Sequence, residues 1–121
     1  MKLIMSIFPV VLLVVISQIV TKWRLSQLAA QIQSLSGWPK LYIYLTDFYI
    51  VSAYIISFLA SIFWLLVAEK YDISIAFPVY IGLTVMFVFL GGVVFLNEPI
   101  SINKSISIAL IILGVCIGSK F

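Results

Sequence analysis

Histidine is absent from this chain, which removes the usual proton shuttle and the commonest metal ligand. Cysteine occurs once, at Cys116 inside the last apolar run, so there is no disulfide framework and no redox compartment to read. The ordinary role of such a residue is apolar packing. Charge is scarce as well: Asp, Glu, Lys and Arg make up 9% of the 121 residues, against about a quarter in soluble domains. Nucleophile–base pairs, metal clusters and Gly-rich phosphate loops are all missing. We therefore expect a protein that is not an enzyme and holds neither metal nor cofactor. The net charge of +3 is small and dispersed. It makes no case for nucleic acid and suits connectors that meet anionic lipid headgroups.

What the chain has in abundance is apolar length. At 64% hydrophobic and a mean hydropathy of +1.30, it has too little polar surface for a soluble domain of 13.6 kDa. Four stretches, Leu3–Val20, Phe48–Ala68, Ile73–Leu96 and Ile106–Ile117, contain no charge. A spanning helix needs roughly 20 apolar residues to cross about 30 Å of hydrocarbon. Three stretches reach that length, and the fourth reaches it if Ile100–Ser105 belongs to the same helix. The expected fold is all-α and integral to the membrane. It is a single four-helix domain over residues 1–121, with spans at about 3–21, 45–68, 73–96 and 100–119. A leading Lys2 gives the first run the look of a signal peptide. The run exceeds the usual length, however, and no small-residue cleavage site closes it, so we expect it to be retained.

The connectors carry their own signals. Pro9 is expected to kink the first span, and Trp23, Lys22 and Arg24 to reach the headgroups at its end. Leu25, Leu28, Ile32 and Leu35 recur at helical spacing. That stripe could extend the first helix beyond the bilayer or lie flat in the interface. Gly37-Trp38-Pro39 is expected to stop it, and Lys40 to mark the turn into the second span. Glu69-Lys70-Tyr71-Asp72 is a tight turn that makes the second and third spans antiparallel neighbours. Pro78, Gly82 and Gly91-Gly92 should bend the third span or let a neighbour approach, and Asn97-Glu98-Pro99 should end it. Lys2, Lys70 and Lys120 fall on one side of the membrane, and Lys22, Arg24, Lys40 and Lys104 on the other. So even a distribution sets no orientation under the positive-inside rule.

Polar residues inside the spans are the candidates for function. Asp47, Tyr54, Ser57, Ser61 and Trp64 share one face of the second span. Two readings stand: packing, in which small hydroxyl residues join helices at roughly 0.6–2 kcal/mol per bond, or one wall of a substrate path with Tyr54 and Trp64 as stacking surfaces. Ser17 and Gln18 on the first span and Tyr80, Thr84 and Gly91 on the third divide between the same two readings. The four carboxylates lie at helix ends or in a turn, where capping and headgroup contact are the ordinary roles. Glu98, one residue before Pro99, is the strongest exception. Gly114 and Gly118 form a small-xxx-small pattern that suits a close helix–helix contact.

Several motifs carry a resemblance. Trp64-Leu65-Leu66, Ala76-Phe77-Pro78-Val79-Tyr80, Phe95-Leu96-Asn97-Glu98-Pro99-Ile100-Ser101 and Leu110-Ile111-Ile112-Leu113-Gly114-Val115 resemble the drug/metabolite transporter superfamily. Within it the chain is similar to the four-helix EamA-like and small multidrug resistance proteins. Gln18 and Lys22, in a Ser-Gln-x-x-x-Lys arrangement, resemble the small subunits of the aminoarabinose-phosphoundecaprenol flippase. In the drug exporters a membrane-embedded glutamate stands eight residues before that lysine, and here the position holds Val14. This departure argues against ordinary proton/drug antiport.

The resemblance implies a small multidrug resistance-like bundle in the bacterial inner membrane that flips a polyprenyl-phosphate-linked sugar, such as an undecaprenyl phosphate derivative. Such a subunit works as a homodimer or with a paralogous small subunit. On this reading Gln18, Tyr54, Ser57, Ser61, Trp64, Tyr80 and Glu98 line the path. Lys22, Arg24 and Lys40 attract phosphate at one rim, and Gly114 and Gly118 make the dimer contact. Two alternatives are an exporter of small amphipathic metabolites or drugs, and a non-transporting accessory subunit of a membrane glycosyltransferase.

Overall fold

The computed structural model describes residues 2–119, which form five helices: α1 (Lys2–Ile32), α2 (Trp38–Thr46), α3 (Phe48–Lys70), α4 (Ile73–Phe95) and α5 (Ile102–Gly118). No strand occurs among the described residues. Three helices, α1, α3 and α4, are long and apolar enough to cross a membrane, and α5 is a shorter apolar helix of 17 residues. The protein is a multi-pass membrane helical bundle. Lys120, counted above on the terminal side, lies outside the described residues.

Two expectations about the first connector are decided. α1 is continuous for 31 residues, about 46 Å at 1.5 Å per residue, so the Leu25–Ile32 stripe extends the first helix rather than lying separately in the interface. Gly37-Trp38-Pro39 does not stop a helix but starts one. α1 has already closed at Ile32, with Leu35 N–H donating to the Ile32 carbonyl at 3.1 Å. Gly37 then takes φ +69, a left-handed value that glycine tolerates best. Pro39 falls in the first turn of α2, where its missing N–H has no partner to lose.

The long helix of the second expected span accordingly begins at Phe48, and residues 45 and 46 belong to α2. A single residue, Asp47, breaks the backbone between α2 and α3. Its N–H closes α2 on the Ile43 carbonyl at 3.0 Å, and its carboxylate opens α3 by accepting from Ile50 N–H at 3.1 Å. The fourth helix is shorter than the expected 100–119 because Ile100 and Ser101 stay outside it and it ends at Gly118. α5 starts where the Ser101 hydroxyl accepts from Lys104 N–H at 3.1 Å.

α1 is the centre of the bundle: it packs along both α3 and α4, while α5 packs chiefly on α4. The two-residue link Tyr71-Asp72 holds α3 and α4 together at one end, where Trp64 also meets Phe77 and Tyr80, and most of their packing is against α1 or α5 rather than each other. The core is small, built from Ile7, Val11 and Val15 of α1 against Ala60, Val67, Ala76 and Val79. Alanines there let helix backbones approach closely, as membrane interfaces favour. Large side chains such as Phe48, Leu65 and Leu110 point outward, the arrangement hydrocarbon solvent requires.

Candidate functional site

The α1–α3 seam contains several polar contacts. The Ser57 hydroxyl donates to Ser17 Oγ at 2.7 Å, and Ser17, only 2% exposed, donates to the Val14 carbonyl at 2.8 Å. Ser61 bonds back to the Ser57 carbonyl at 3.2 Å. At the end of the seam Arg24 meets Asp47 through two nitrogens: Nε lies 2.9 and 3.1 Å from the carboxylate oxygens, and Nη2 2.9 Å from Oδ1. The guanidinium also stacks 5.0 Å from the Tyr49 ring centre and donates to Gln27 at 3.0 Å. This hydrogen-bonded guanidinium holds the Asp47 carboxyl below its ordinary pKa and, reciprocally, raises that of Arg24.

Beside the seam runs a lateral cleft. One hollow of about 210 Å³ lies between α1, α3 and α4 and is lined by Val10, Val14, Ser57, Ser61, Trp64, Phe77 and Tyr80. A second, of about 490 Å³, lies between α1, α4 and α5 and is lined by Val14, Gln18, Tyr80, Thr84, Glu98 and Lys104 among others. The two meet at Val14 and Tyr80. Together they follow α1 from Val10 to Gln18 and α4 from Phe77 to Phe89. The cleft therefore leads from near the α3–α4 turn toward the α4–α5 loop, which lies at the opposite end of α4.

One end of this cleft is aromatic. Trp64 lies 5.2 Å from Tyr80 and 6.1 Å from Phe77 between ring centres, and Phe77 lies 5.9 Å from Tyr80. The other end is charged. α4 closes with Asn97 in the left-handed region at φ 55, and the following Glu98 N–H donates to the Gly92 carbonyl at 3.0 Å. That turn lays the Glu98 carboxylate against Gly92, where an added Cβ would stand 3.1 Å from Oε2. Lys104 faces the same hollow from the first turn of α5, its Nζ donating to the Pro99 carbonyl at 3.3 Å. Thr84 Oγ1 is buried with no hydrogen-bond partner.

Of the residues singled out in the sequence, Gln18, Ser57, Ser61, Trp64, Tyr80 and Glu98 all line the cleft. Tyr54 does not. It is 63% exposed and belongs to a separate, largely apolar hollow beside Tyr44 and Leu45 of α2. The basic residues expected at the rim lie outside these two hollows. Arg24 is occupied by Asp47, and neither Lys22 nor Lys40 lines the cleft, whereas Lys104 does. Gly114 and Gly118 are exposed, and a side chain built on either would meet nothing within 4 Å. Sequence reasoning missed Lys104 and Phe77 as lining residues. No spacing within one helix pointed to Lys104, and Phe77 was passed over beside Tyr80, three residues further along the same helix face.

Fold and cleft define a class: a small multi-pass helical bundle with a polar and aromatic groove opening sideways between its spans. A more particular likeness comes from one curated protein, the probable 4-amino-4-deoxy-L-arabinose-phosphoundecaprenol flippase subunit ArnE of Pseudomonas syringae pv. syringae. The two are 38% identical over 52 residues, which is 43% of this chain and 47% of that protein. The similarity thus spans about half the length of that relative. No protein-family model matches the chain. No solved structure matches it.

Proposed function

We propose that this protein is a small membrane transporter subunit that moves a polyprenyl-phosphate-linked sugar between the leaflets of the bacterial inner membrane. The observation that carries the reading is the lateral cleft, with a charged mouth at Glu98 and Lys104 and aromatic rings at Trp64, Phe77 and Tyr80. A prenyl tail can remain in lipid while its polar head travels such a groove, so no sealed cage is needed. The rings offer stacking faces to a sugar, and Gln18, Thr84 and Ser61 offer hydrogen bonds in place of water. The partial likeness to a flippase subunit supports the same direction.

Val14 bears on the mechanism. It stands where the two hollows meet, so a carboxylate there would occupy the middle of the path. With valine in its place, the cleft has no central group to exchange a proton for a cation. We expect little resistance to quaternary ammonium compounds when the protein is expressed in a sensitised host. Robust proton-driven efflux of such cations from proteoliposomes would favour the exporter reading instead.

The subunit works as a pair, either with its own copy or with a paralogous small subunit. The cleft opens on one side of four spans, and a second subunit would complete its wall. The decisive measurement is leaflet exchange of a fluorescent polyprenyl-phosphate sugar in proteoliposomes containing the purified protein, alone and with candidate paralogues. Trp64→Ala should slow exchange by about tenfold, the loss expected when a stacking surface worth roughly 1–3 kcal/mol is removed. Exchange no faster than in empty vesicles under every pairing, combined with stoichiometric capture of a glycosyltransferase, would favour an accessory role.

A further inference from the structure

A third hollow, of about 540 Å³, takes no part in the cleft and shares no lining residue with it. Thr21 and Leu25 of α1, Tyr44 of α2, and Val51, Tyr54 and Phe58 of α3 are among its walls. It opens because α2 packs chiefly on α3 and buries none of its own residues, which leaves a gap between α2 and the extended end of α1. Along α3 the hollow follows one helical face from Ile50 to Phe58. That makes a lane of about 12 Å at 1.5 Å per residue, running parallel to the spans. It begins beside the Arg24–Asp47 pair and ends within the apolar length of α3.

Charge is confined to one end of this lane. Lys40 stands one helical turn before Tyr44 on the same face of α2, and Lys22 adjoins Thr21 on α1. Asp47, the acid at this end, is already engaged by Arg24, and neither lysine lies within 4 Å of a carboxylate among the described residues. An apolar lane along the membrane normal, with unpaired cations at its interfacial end alone, matches an anionic amphiphile with a hydrocarbon chain. We propose that the hollow seats one acyl chain of an anionic diacyl phospholipid, with the headgroup phosphate drawn to Lys22 and Lys40. The lipid fills the gap between α1 and α2 that the protein leaves. The lane stops at Phe58 and does not join the cleft, so it holds a resident chain and offers no route across the bilayer. A zwitterionic lipid carries its own ammonium beside the phosphate and gains less from the two lysines. The inference is independent of what the cleft carries.

Native mass spectrometry of the full-length protein, released from detergent micelles, tests the idea with two probes of identical acyl chains: phosphatidylglycerol and phosphatidylcholine. Each lysine near a lipid surface contributes about fivefold in affinity. The wild type should therefore retain one phosphatidylglycerol per chain, about twentyfold more tightly than phosphatidylcholine. Lys22→Gln and Lys40→Gln should each cut that preference about fivefold, and the double variant should abolish it. Lys70→Gln, at the opposite end of α3, should leave it unchanged. Val51→Trp places a ring in the lane and should lower retention of both lipids.

Equal retention of the two lipids by the wild type, or a preference that survives loss of both lysines, overturns the inference. So does an equal fall in Lys70→Gln, because net charge alone would then set the preference. Undiminished retention in Val51→Trp puts the lipid elsewhere and overturns it as well. A polyprenyl phosphate that displaces phosphatidylglycerol at equimolar concentration would give the lane to a transported lipid and end the resident one.

Discussion

Two helix contacts of the bundle, α1 on α3 and α5 on α4, are built on different terms. On the α3 side the contact is self-sufficient: Ala53 and Ala60 are buried, Ser57 reaches Ser17, Arg24 grips Asp47, and Trp23 meets Tyr49 edge-on at 5.3 Å. On the far side of α4, α5 has no buried residue at all, and its glycines face open space. A helix with a finished interface needs nothing more from its surroundings than hydrocarbon. One with an unfinished interface, in a chain whose cleft opens beside it, is where a second subunit has room to act. The cleft touches both contacts, its first hollow between α1, α3 and α4 and its second between α1, α4 and α5.

The largest effect should come from filling the unfinished side. Gly114→Leu combined with Gly118→Leu has space around both new side chains in the monomer, so folding should survive while a close helix contact is blocked. We expect association to weaken at least about tenfold, or 1.4 kcal/mol, with transport falling in step, as measured by sedimentation in detergent and by leaflet exchange. Unchanged association would remove α5 from the interface.

Next in size is damage to the finished side. Asp47→Ala deletes the cap of α3 and should cost about 0.5–2 kcal/mol of stability in a thermal unfolding assay. Asp47→Asn, which can still cap, should fall between that variant and the wild type. Arg24→Gln should also lower stability but leave transport per folded molecule intact, because its guanidinium is engaged by Asp47 rather than by substrate. A selective loss of transport in Arg24→Gln would restore Arg24 to the phosphate rim.

A smaller effect should appear on acidification. The Asp47 pKa is lowered in the folded state by the Arg24 hydrogen bond, so its contribution is fully present above the ordinary carboxylate value of about 4. That contribution is lost as pH falls from there through the lowered folded value. The unfolding midpoint of the wild type should therefore drop across that window more than that of Asp47→Asn. Smallest of all, Ser57→Ala should cost about 0.6 kcal/mol, the mean for an interhelical hydrogen bond in a membrane.

Much of the fold was legible because hydrocarbon imposes a simple length rule. Charges at Glu69, Lys70 and Asp72 marked one turn, and Asn97-Glu98-Pro99 marked another. α2 was not legible, because Trp38-Pro39 reads equally as the end of one helix or the first turn of the next. Only the left-handed backbone at Gly37 distinguishes them. At the site, periodicity placed Ser57, Ser61 and Trp64 on one wall, since all three belong to a single helix. It could not separate Tyr54, at the edge of that stripe, from the rest, because the boundary is drawn by α1. Lys104 escaped notice for a related reason: its position depends on how α5 folds back across α4 after a helix break, and no single-helix spacing encodes that.

The overhang of α1 has a consequence for the bilayer itself. Arg24 stands about 33 Å along the helix axis from Lys2, close to the hydrocarbon thickness, and eight further helical residues continue past it to Ile32. At that distance Arg24 and Asp47 would act together as a depth stop at headgroup level, with Trp23 and Tyr49 beside them as the aromatic residues expected at such a height. A thinner membrane cannot be met by shortening α1 or by sliding it past α3, because the ion pair fixes their relative register. The remaining adjustment is for the pair to lean as one rigid body. Oriented infrared dichroism across lipids of graded chain length should show the tilt of the α1–α3 pair falling as the bilayer thickens, and Asp47→Ala should blunt that dependence.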